Sequence, residues 1–336
     1  MPPRVSIVIP CYNEQATIRQ LLEAIYQQTY PRAQTEVVIA NGYSEDATRD
    51  EIAGFQYGHP DLDVRIVENN VRTIPSAINC AILASRGEIV VRMDAHSRPY
   101  PDYVERCVSA LDSGHGDNVG GVWEIKPGSR SWMAESIAIA AAHPLGVGDA
   151  GYRIGAQASA VDTVPFGAFH RSLIDKIGLF DETLLSNEDY EFNTRIRQSG
   201  GRVWLDPEIV IVYYARSTLR ELARQYWRYG YWKFRMLRRY PDTLRWRQGL
   251  PPLFVASLVA LTILAWWWPF AGRLLALELA IYGTVLLLVG TLSALRRLKI
   301  YLFIGLPLSI ATMHLAWGGG FLWSILMTML EYRKNG

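Results

Sequence analysis

The sequence predicts an α/β fold, a mostly parallel sheet covered by helices on both faces, followed by an α-helical transmembrane domain. Three features lead there. Short apolar runs alternate with stretches of helical periodicity through residues 5–93, and a polar cluster follows most of those runs. Charged residues crowd into the first 250 of 336 positions and apolar ones into the rest, in a chain that is 50% hydrophobic and 20% charged as a whole. Such a length allows one globular domain of about 200–250 residues and an appendage. The expected divisions are a globular domain over 1–215, amphipathic interfacial helices over 216–249, and three or four membrane segments over 250–336.

Taken in order, residues 5–10 form a strand, Cys-Tyr-Asn-Glu a loop, and 15–28 a helix. Residues 36–40 make a second strand, ending at the turn-rich stretch 41–46; residues 61–68 make a third. A helix over 73–85 carries Ile74, Ala77, Ile78, Ala81 and Ile82 on one face, and the strand at 88–93 runs directly into Asp94-Ala95-His96. Ligands of such sheets bind beyond the carboxyl ends of the strands, so the clusters near Asn13, Asp46 and Asp94 should converge on one site. After Pro101 the alternation weakens: 120–126 reads as a strand and 131–142 as an Ala-rich helix, while 143–159 is glycine-rich and aperiodic. An irregular stretch of that length is usually a functional lid or a disordered loop. Strand and turn resume at 162–170, followed by a helix over 171–177, a turn at 178–182 and a helix over 187–199 that opens with Glu188 and Asp189.

Residues 217–247 are helical and interleave Arg220, Arg224, Arg228, Arg235, Arg238 and Arg239 with Tyr226, Trp227, Tyr229, Tyr231, Trp232 and Phe234. So many aromatics suit a helix in the membrane interface better than one in water. Residues 253–270 and 274–295 are long enough to cross a bilayer, and 300–330, interrupted by Gly318-Gly319-Gly320, reads as one long broken helix or two short ones. Arginines precede the first span, Arg296, Arg297 and Lys299 follow the second, and Arg273 alone lies between. Positive charge favours the cytoplasmic side, so the globular domain is expected in the cytoplasm beneath a multi-pass inner-membrane anchor. Glu278 lies about a turn from the outer boundary, which suits snorkelling.

A net charge of +2 and the lack of an aromatic-basic motif argue against nucleic acid as a partner. The opening MPPRVSIVIPCYNE does not read as a removable secretory signal, and Cys11, Cys80 and Cys107 match neither a disulfide framework nor a zinc site. Repeats and low-complexity tracts are not seen.

Asp94 and His96 flank Ala95 just after a strand, so both side chains point the same way and can reach one cation. A carboxylate with an imidazole suits Mn²⁺ better than Mg²⁺, with water and substrate phosphates completing the shell. Taken alone, Asp-x-His reads first as a turn with an Asp cap and a surface histidine. Glu188-Asp189 alone is an ordinary helix start, where carboxylates meet the dipole. The polar turns at 165–170 and 178–182 make it part of a cleft wall, where a carboxylate can take a proton from a hydroxyl. Gln225, Arg228 and Tyr229 offer a two-pronged phosphate binder and a ring one turn apart, or equally an interfacial helix gripping lipid headgroups.

Taken together, the ordered segments VSIVIPCYNE, ANGYSEDAT, RGEIVVRMDAH, VDTVPFGAFHRSLIDKIGLFDE, NEDYEFNTRIRQSG and QYWRY resemble family 2 glycosyltransferases of the GT-A fold. The resemblance runs from Val5 to about Tyr231 and is strongest to the membrane-anchored subgroup that includes succinoglycan-pathway glucosyltransferases. It implies that Pro10, Tyr12, Asn13, Glu14, Asn41, Asp46 and Arg72 hold the nucleotide, and that Asp94 and His96 stand in for the usual Asp-x-Asp at a divalent metal. It makes Asp189, beside Glu188, the catalytic base. Gln225 and Arg228 match a Gln-x-x-Arg-Trp motif that meets the donor diphosphate and the acceptor end, with Tyr229 in place of Trp. Asn41 replaces an Asp that accepts from uracil N3–H, and its amide carbonyl is expected to accept that bond in its place.

The activity so implied is inverting transfer of a hexose, glucose first, from a UDP-sugar to a hydroxyl of a polyprenyl-diphosphate-linked saccharide in exopolysaccharide or cell-surface glycan synthesis. The competing expectations are a polyprenyl-phosphate sugar transferase, a processive polysaccharide synthase, and a non-catalytic nucleotide-sugar-binding subunit. Oligomeric state is left open.

Overall fold

Apolar side chains on both faces of β1 (Val5–Cys11) and β2 (Thr35–Asn41) make these strands central, and a computed structural model, which describes residues 2–335, buries them accordingly. β3 (Asp63–Glu68) and β4 (Ile89–Arg92) flank them, giving the parallel order β3-β2-β1-β4, with Val5 beside Thr35 and Ile89, and Cys11 beside Asn41. The connecting helices are α1 (Ile18–Tyr26), α2 (Thr48–Gly58) and α3 (Ile74–Ala84).

Beyond β4 the strands are antiparallel, so the sheet is mixed. After β5 (Arg98–Pro99), α4 (Tyr103–Asp112) and β6 (Asn118–Pro127) come α5 (Trp132–Ala141), α6 (Pro144–Val147), α7 (Gly151–Ile154), β7 (Ser159–Ala160) and β8 (Ala168–His170). α8 (Ser172–Ile177), α9 (Glu188–Gln198) and β9 (Val203–Ala215) complete the globular part. The sheet continues β4-β8-β6-β9-β5, with β7 pairing β9. Side chains alternate along the strands between two cores: Ile7, Ile9, Val37 and Ile39 pack with α1, α2 and α4, whereas Val8, Val38 and Ala40 pack with α3, α8 and α9.

One charged group is sealed into this sheet. Glu36, 0% exposed, accepts from Ser6 Oγ (2.6 Å), Arg65 Nη2 (2.6 Å) and Arg86 Nε (3.0 Å). The carboxylate thus cross-links β1, β2, β3 and the turn before β4, and its hydrogen bonds make its burial tolerable.

The aperiodic stretch 143–159 is more ordered than its composition suggests. It holds the short helices α6 and α7, set off by Gly148 (φ 65°) and Gly155 (φ 83°) in conformations that favour glycine.

The chain forms two units, residues 1–124 with 151–213 and residues 125–150 with 214–336. The second gathers α5 and α6 with α10 (Leu219–Leu237), α11 (Trp246–Leu264), α12 (Pro269–Arg297) and α13 (Leu302–Asn335). Three stretches, Trp246–Leu264, Pro269–Arg297 and Leu302–Glu331, are long and apolar enough to cross a membrane. α13 runs unbroken through the glycine triplet, because those glycines serve contact and not a bend. A Cβ on Gly318 would lie 2.4 Å from the Pro251 carbonyl oxygen, and one on Gly320 would lie 2.2 Å from that of Trp227. Small residues here let backbones approach closely.

α10 buries Leu222, Tyr226, Gly230, Lys233 and Met236 along one face. Just before α13, Lys299 and Tyr301 both donate to Glu135 of α5. Glu278 meets Ser257 of α11 at 2.5 Å instead of reaching outward, a polar tie between two long apolar helices.

Candidate active site

The site is built where β1, β2 and β4 end. Asn13 N–H donates to Ser44 Oγ (2.9 Å), Glu45 N–H to Asn13 Oδ1 (2.8 Å), Glu14 N–H to Thr48 Oγ1 (2.8 Å) and Gln15 N–H to Asp46 Oδ2 (3.2 Å). These bonds zip the loop after Pro10 to the loop after Asn41. Asp46 also accepts from Thr48 N–H (3.0 Å), so its carboxylate is spent on the scaffold of α2. Slight burial would raise its proton affinity, but the bonds from Thr48 and Gln15 outweigh that and hold it below the usual range.

Strain concentrates here. Among the described residues, six non-glycine residues have positive φ, and five of them, Asn13 (54°), Tyr43 (59°), Arg72 (60°), Phe166 (50°) and Asn187 (66°), lie in loops of this unit. Such backbones persist only where the surroundings impose them, and they cluster at functional sites. Tyr12 and Tyr43 stand 45% and 41% exposed beside Gly42. Arg72 lies over the Tyr43 ring at 5.6 Å and 3.6 Å from Glu45.

Asn41 is fully buried and differs in one respect from its expected use. Its Oδ1 accepts from Ser44 N–H (3.2 Å) and Ser44 Oγ (2.7 Å), whereas its Nδ2 has no hydrogen-bond partner. The carbonyl is occupied, so the group left over is a donor.

The end of β4 gathers the charges. Arg92, 2% exposed, donates through Nη1 to Asp189 and through Nη2 to Asp94 (3.2 Å) and Glu188 (3.1 Å). Two motifs that stand far apart in sequence thus meet on one guanidinium. Burial opposes its charge, but Asp189, Asp94 and Glu188 outweigh burial and keep it protonated. At Asp189 burial wins: desolvation lifts the carboxyl to about 7 against the pull of Arg92, and the charges of Glu188 and Asp94 push the same way. The α9 N-terminus presents Glu188 and Asp189 together from Asn187, whose left-handed backbone turns the chain into the helix.

Arg92 is not among the residues that the sequence motifs single out. The signal was there, a lone charge inside the apolar run Ile89-Val90-Val91-Arg92-Met93, where a buried strand excludes charge unless it is paired.

His96 Nδ1 lies 3.1 Å from Glu14 Oε1, and Glu14 Oε2 accepts from Thr17 Oγ1 (2.6 Å). Among the described residues, no three His, Cys, Asp or Glu side chains gather as a metal cage. Asp94 and His96 supply one carboxylate and one imidazole, with side chains 20% and 38% exposed, and Asp94 shares Oδ1 with Arg92. That donor set fits a divalent cation only if a bound diphosphate and water complete its shell.

Gln225, Arg228 and Tyr229 lie on α10 of the second unit, where Gln225 Nε2 donates to Tyr229 Oη at 2.9 Å.

Comparison with known proteins speaks to the family and the fold. The family model described as Glycosyl transferase family 2 matches residues 6–178. The succinoglycan biosynthesis protein ExoA of Rhizobium meliloti (strain 1021) is 30% identical, over 98% of this chain and 96% of its own. A dolichyl N-acetyl-alpha-D-glucosaminyl phosphate 3-beta-D-2,3-diacetamido-2,3-dideoxy-beta-D-glucuronosyltransferase of Methanococcus voltae is 26% identical, over 94% and 95%. Among solved structures, a mannosyltransferase of Pyrobaculum calidifontis in complex with GDP-Man and Mn2+ superposes with a TM-score of 0.60 at 22% identity, over 93% of this chain and 87% of that one. At that identity the likeness shows the fold, which is GT-A.

Proposed function

This chain belongs to glycosyl transferase family 2, and from that premise we propose that it is an inverting hexosyltransferase. Its donor is a nucleoside diphosphate hexose, with UDP-glucose the first to try. Its acceptor is a hydroxyl of a polyprenyl-diphosphate-linked saccharide in exopolysaccharide or cell-surface glycan synthesis. The observation that carries the reading is the meeting of Asp94, Glu188 and Asp189 on the Arg92 guanidinium. It unites the donor-side and acceptor-side motifs in one charged centre.

In this reading Asp189 takes the acceptor hydroxyl proton while the oxygen attacks the anomeric carbon from the face opposite the diphosphate. The carbon–oxygen bond to the diphosphate breaks, so the configuration inverts and an α-linked donor yields a β-glycoside. A divalent cation held by Asp94 and His96, Mn²⁺ in preference to Mg²⁺, would supply positive charge for the departing diphosphate. Tyr12 and Tyr43 offer their rings to the base, and Arg72 reaches the nucleotide from the same loops. Gln225, Arg228 and Tyr229 would serve the diphosphate and the acceptor end, because a guanidinium matches phosphate oxygens in pairs.

Three helices long enough to cross a bilayer, covalently joined to the globular unit, suit an acceptor carried on lipid. The asymmetry of Arg296, Arg297 and Lys299 against Arg273 supports an inner-membrane, multi-pass arrangement with the catalytic unit in the cytoplasm.

The test is a panel of radiolabelled nucleotide sugars offered to membranes from cells expressing the chain, with and without excess EDTA. Label entering the lipid fraction from one donor, lost with EDTA, is expected. Absence of lipid label from every donor, in membranes where the protein still binds UDP, would overturn the transferase reading. Near-complete transfer by Asp189→Asn would favour a phosphate acceptor, which needs little proton removal.

A further inference from the structure

Arg92 does more than balance charge. It is the last residue of β4 and carries three carboxylates on one buried guanidinium, two of them through the same nitrogen, while its Nε has no hydrogen-bond partner. The support beneath it is also strained. The Phe166 ring lies 5.7 Å from the guanidinium carbon, and Phe166 keeps a φ of 50°, which bulky residues adopt only under constraint. The buried Tyr103 hydroxyl donates to the Phe166 carbonyl oxygen (3.2 Å), fixing that turn. Gly167, the next residue, accepts the backbone N–H of Arg92 at 3.1 Å. Backbone, ring and guanidinium are therefore locked to one another.

We infer that Arg92 is the positioning residue of the reaction, aiming the Asp189 carboxylate at the acceptor and tying that aim to Asp94 on the donor side. The inference rests on the reading of Asp189 as base. A planar guanidinium fixes carboxylates in direction as well as distance, which an ammonium does not. Loss of Arg92 would leave Asp189 chemically intact but free to turn, and misaimed bases lose rate steeply.

The test is a double-mutant cycle between Arg92→Gln and Asp189→Asn, read by single-turnover transfer from UDP-[14C]glucose to a lipid extract of the expressing cells. The full-length protein in detergent is used, and UDP affinity is checked for each variant. If Arg92 acts through Asp189, Arg92→Gln slows transfer by 30-fold or more. In the Asp189→Asn background the same change costs no more than threefold. Multiplying effects, or a full Arg92→Gln loss on top of Asp189→Asn, would overturn the inference. Near wild-type transfer by Asp189→Asn would instead remove the base on which it rests.

If Arg92→Gln does not fold, Arg92→Lys completes the cycle. It is expected to hold UDP within threefold of wild type and to slow transfer at least tenfold in the Asp189 background only. Unchanged transfer by Arg92→Lys counts against the inference.

Discussion

Asp189 is held in a state that should make it both necessary and costly, and the substitution Asp189→Asn separates the two. Burial lifts the carboxyl from an ordinary 3.8 to about 7 despite the salt bridge to Arg92, since Glu188 and Asp94 share that one cation. A group whose proton affinity is raised on folding contributes stability below its unfolded pKa, and that contribution is lost as pH rises through the folded one. The window therefore runs from about pH 4 to about pH 7. Each tenfold change in proton affinity is worth about 1.4 kcal/mol, so this carboxyl alone should cost on the order of 4 kcal/mol above that window. Asparagine removes that cost and also the bond to Arg92, which offsets about half of it. The apparent melting temperature of Asp189→Asn at pH 8 should thus exceed wild type by about 4 °C, and the gap should close near pH 5. Transfer should fall by about 10²- to 10⁴-fold. Wild-type kcat/KM should lose about tenfold for each pH step below the pKa of the base. Thermal melts in detergent across pH, paired with radiolabel transfer, check all three. If Asp189→Asn were less stable at pH 8 than at pH 5 relative to wild type, the carboxylate would be a stabilising ion pair and the reasoning would fail.

Three further outcomes follow from the fold. Glu36→Ala should cost about 3 kcal/mol, because Arg65, Arg86 and Ser6 lose a shared buried partner. Burial alone would raise that carboxyl, and the bonds from Ser6, Arg86 and Arg65 hold it below 4.5, so its stabilisation fades as pH falls; acid melts of wild type and variant should converge. Gly320→Val drives a side chain into the Trp227 carbonyl, 2.2 Å from a Cβ, and should abolish a monodisperse detergent-solubilised protein on size exclusion. Burial pushes the Cys11 thiol up to about 12 and raises Cys107 as well, so mass spectrometry after maleimide treatment at pH 7 should find label on the partly exposed Cys80 first.

The parallel half of the sheet was legible because its information is local. Each strand from β1 to β4 is a short apolar run with a polar loop after it, and strand order among neighbours follows from connection rules. Of the antiparallel half, β6 was legible at 120–126 and β8 in part at 162–170, whereas β5 and β7 are two residues long and, like the long β9, owe their pairing to distant partners. The glycine triplet shows the same limit. Gly318-Gly319-Gly320 signals a break when only its own propensity is weighed, but its meaning comes from Trp227 and Pro251 across the interface. Arg92 is the sharpest case. A lone arginine in an apolar strand announces a buried partner, but nothing in the sequence says that the partners are Asp94 two residues on and Glu188 and Asp189 far along the chain.

Asn41 carries this argument into specificity. An amide's oxygen and nitrogen look alike, but here backbone groups assign them. Ser44 N–H can only donate, so the atom it meets at 3.2 Å is Oδ1, and the unpartnered atom is the NH₂. Asn69, at the end of the adjacent strand β3, is fixed in the same way: its Nδ2 donates to the Thr73 carbonyl at 3.0 Å, and its Oδ1 has no partner. A buried donor and a buried acceptor, both unsatisfied, thus lie on neighbouring strand ends of the nucleotide loops, Asn41 0% and Asn69 2% exposed. Unpaired groups of this kind cost about 1–3 kcal/mol each, which a ligand edge can return. The donor at Asn41 cannot accept from uracil N3–H. It suits a carbonyl oxygen or a ring-nitrogen lone pair such as cytosine N3, so wild type should bind UDP and CDP within about tenfold of one another. Asn41→Asp keeps the two bonds from Ser44 and turns the free donor into a charged acceptor. Because a hydrogen bond to a charged group is worth about 1.5–3 kcal/mol, UDP should tighten relative to CDP by roughly 10- to 100-fold. Calorimetry with both nucleotides on both proteins decides it: a wild-type preference for UDP above tenfold, unmoved by Asn41→Asp, would mean that the base is read elsewhere.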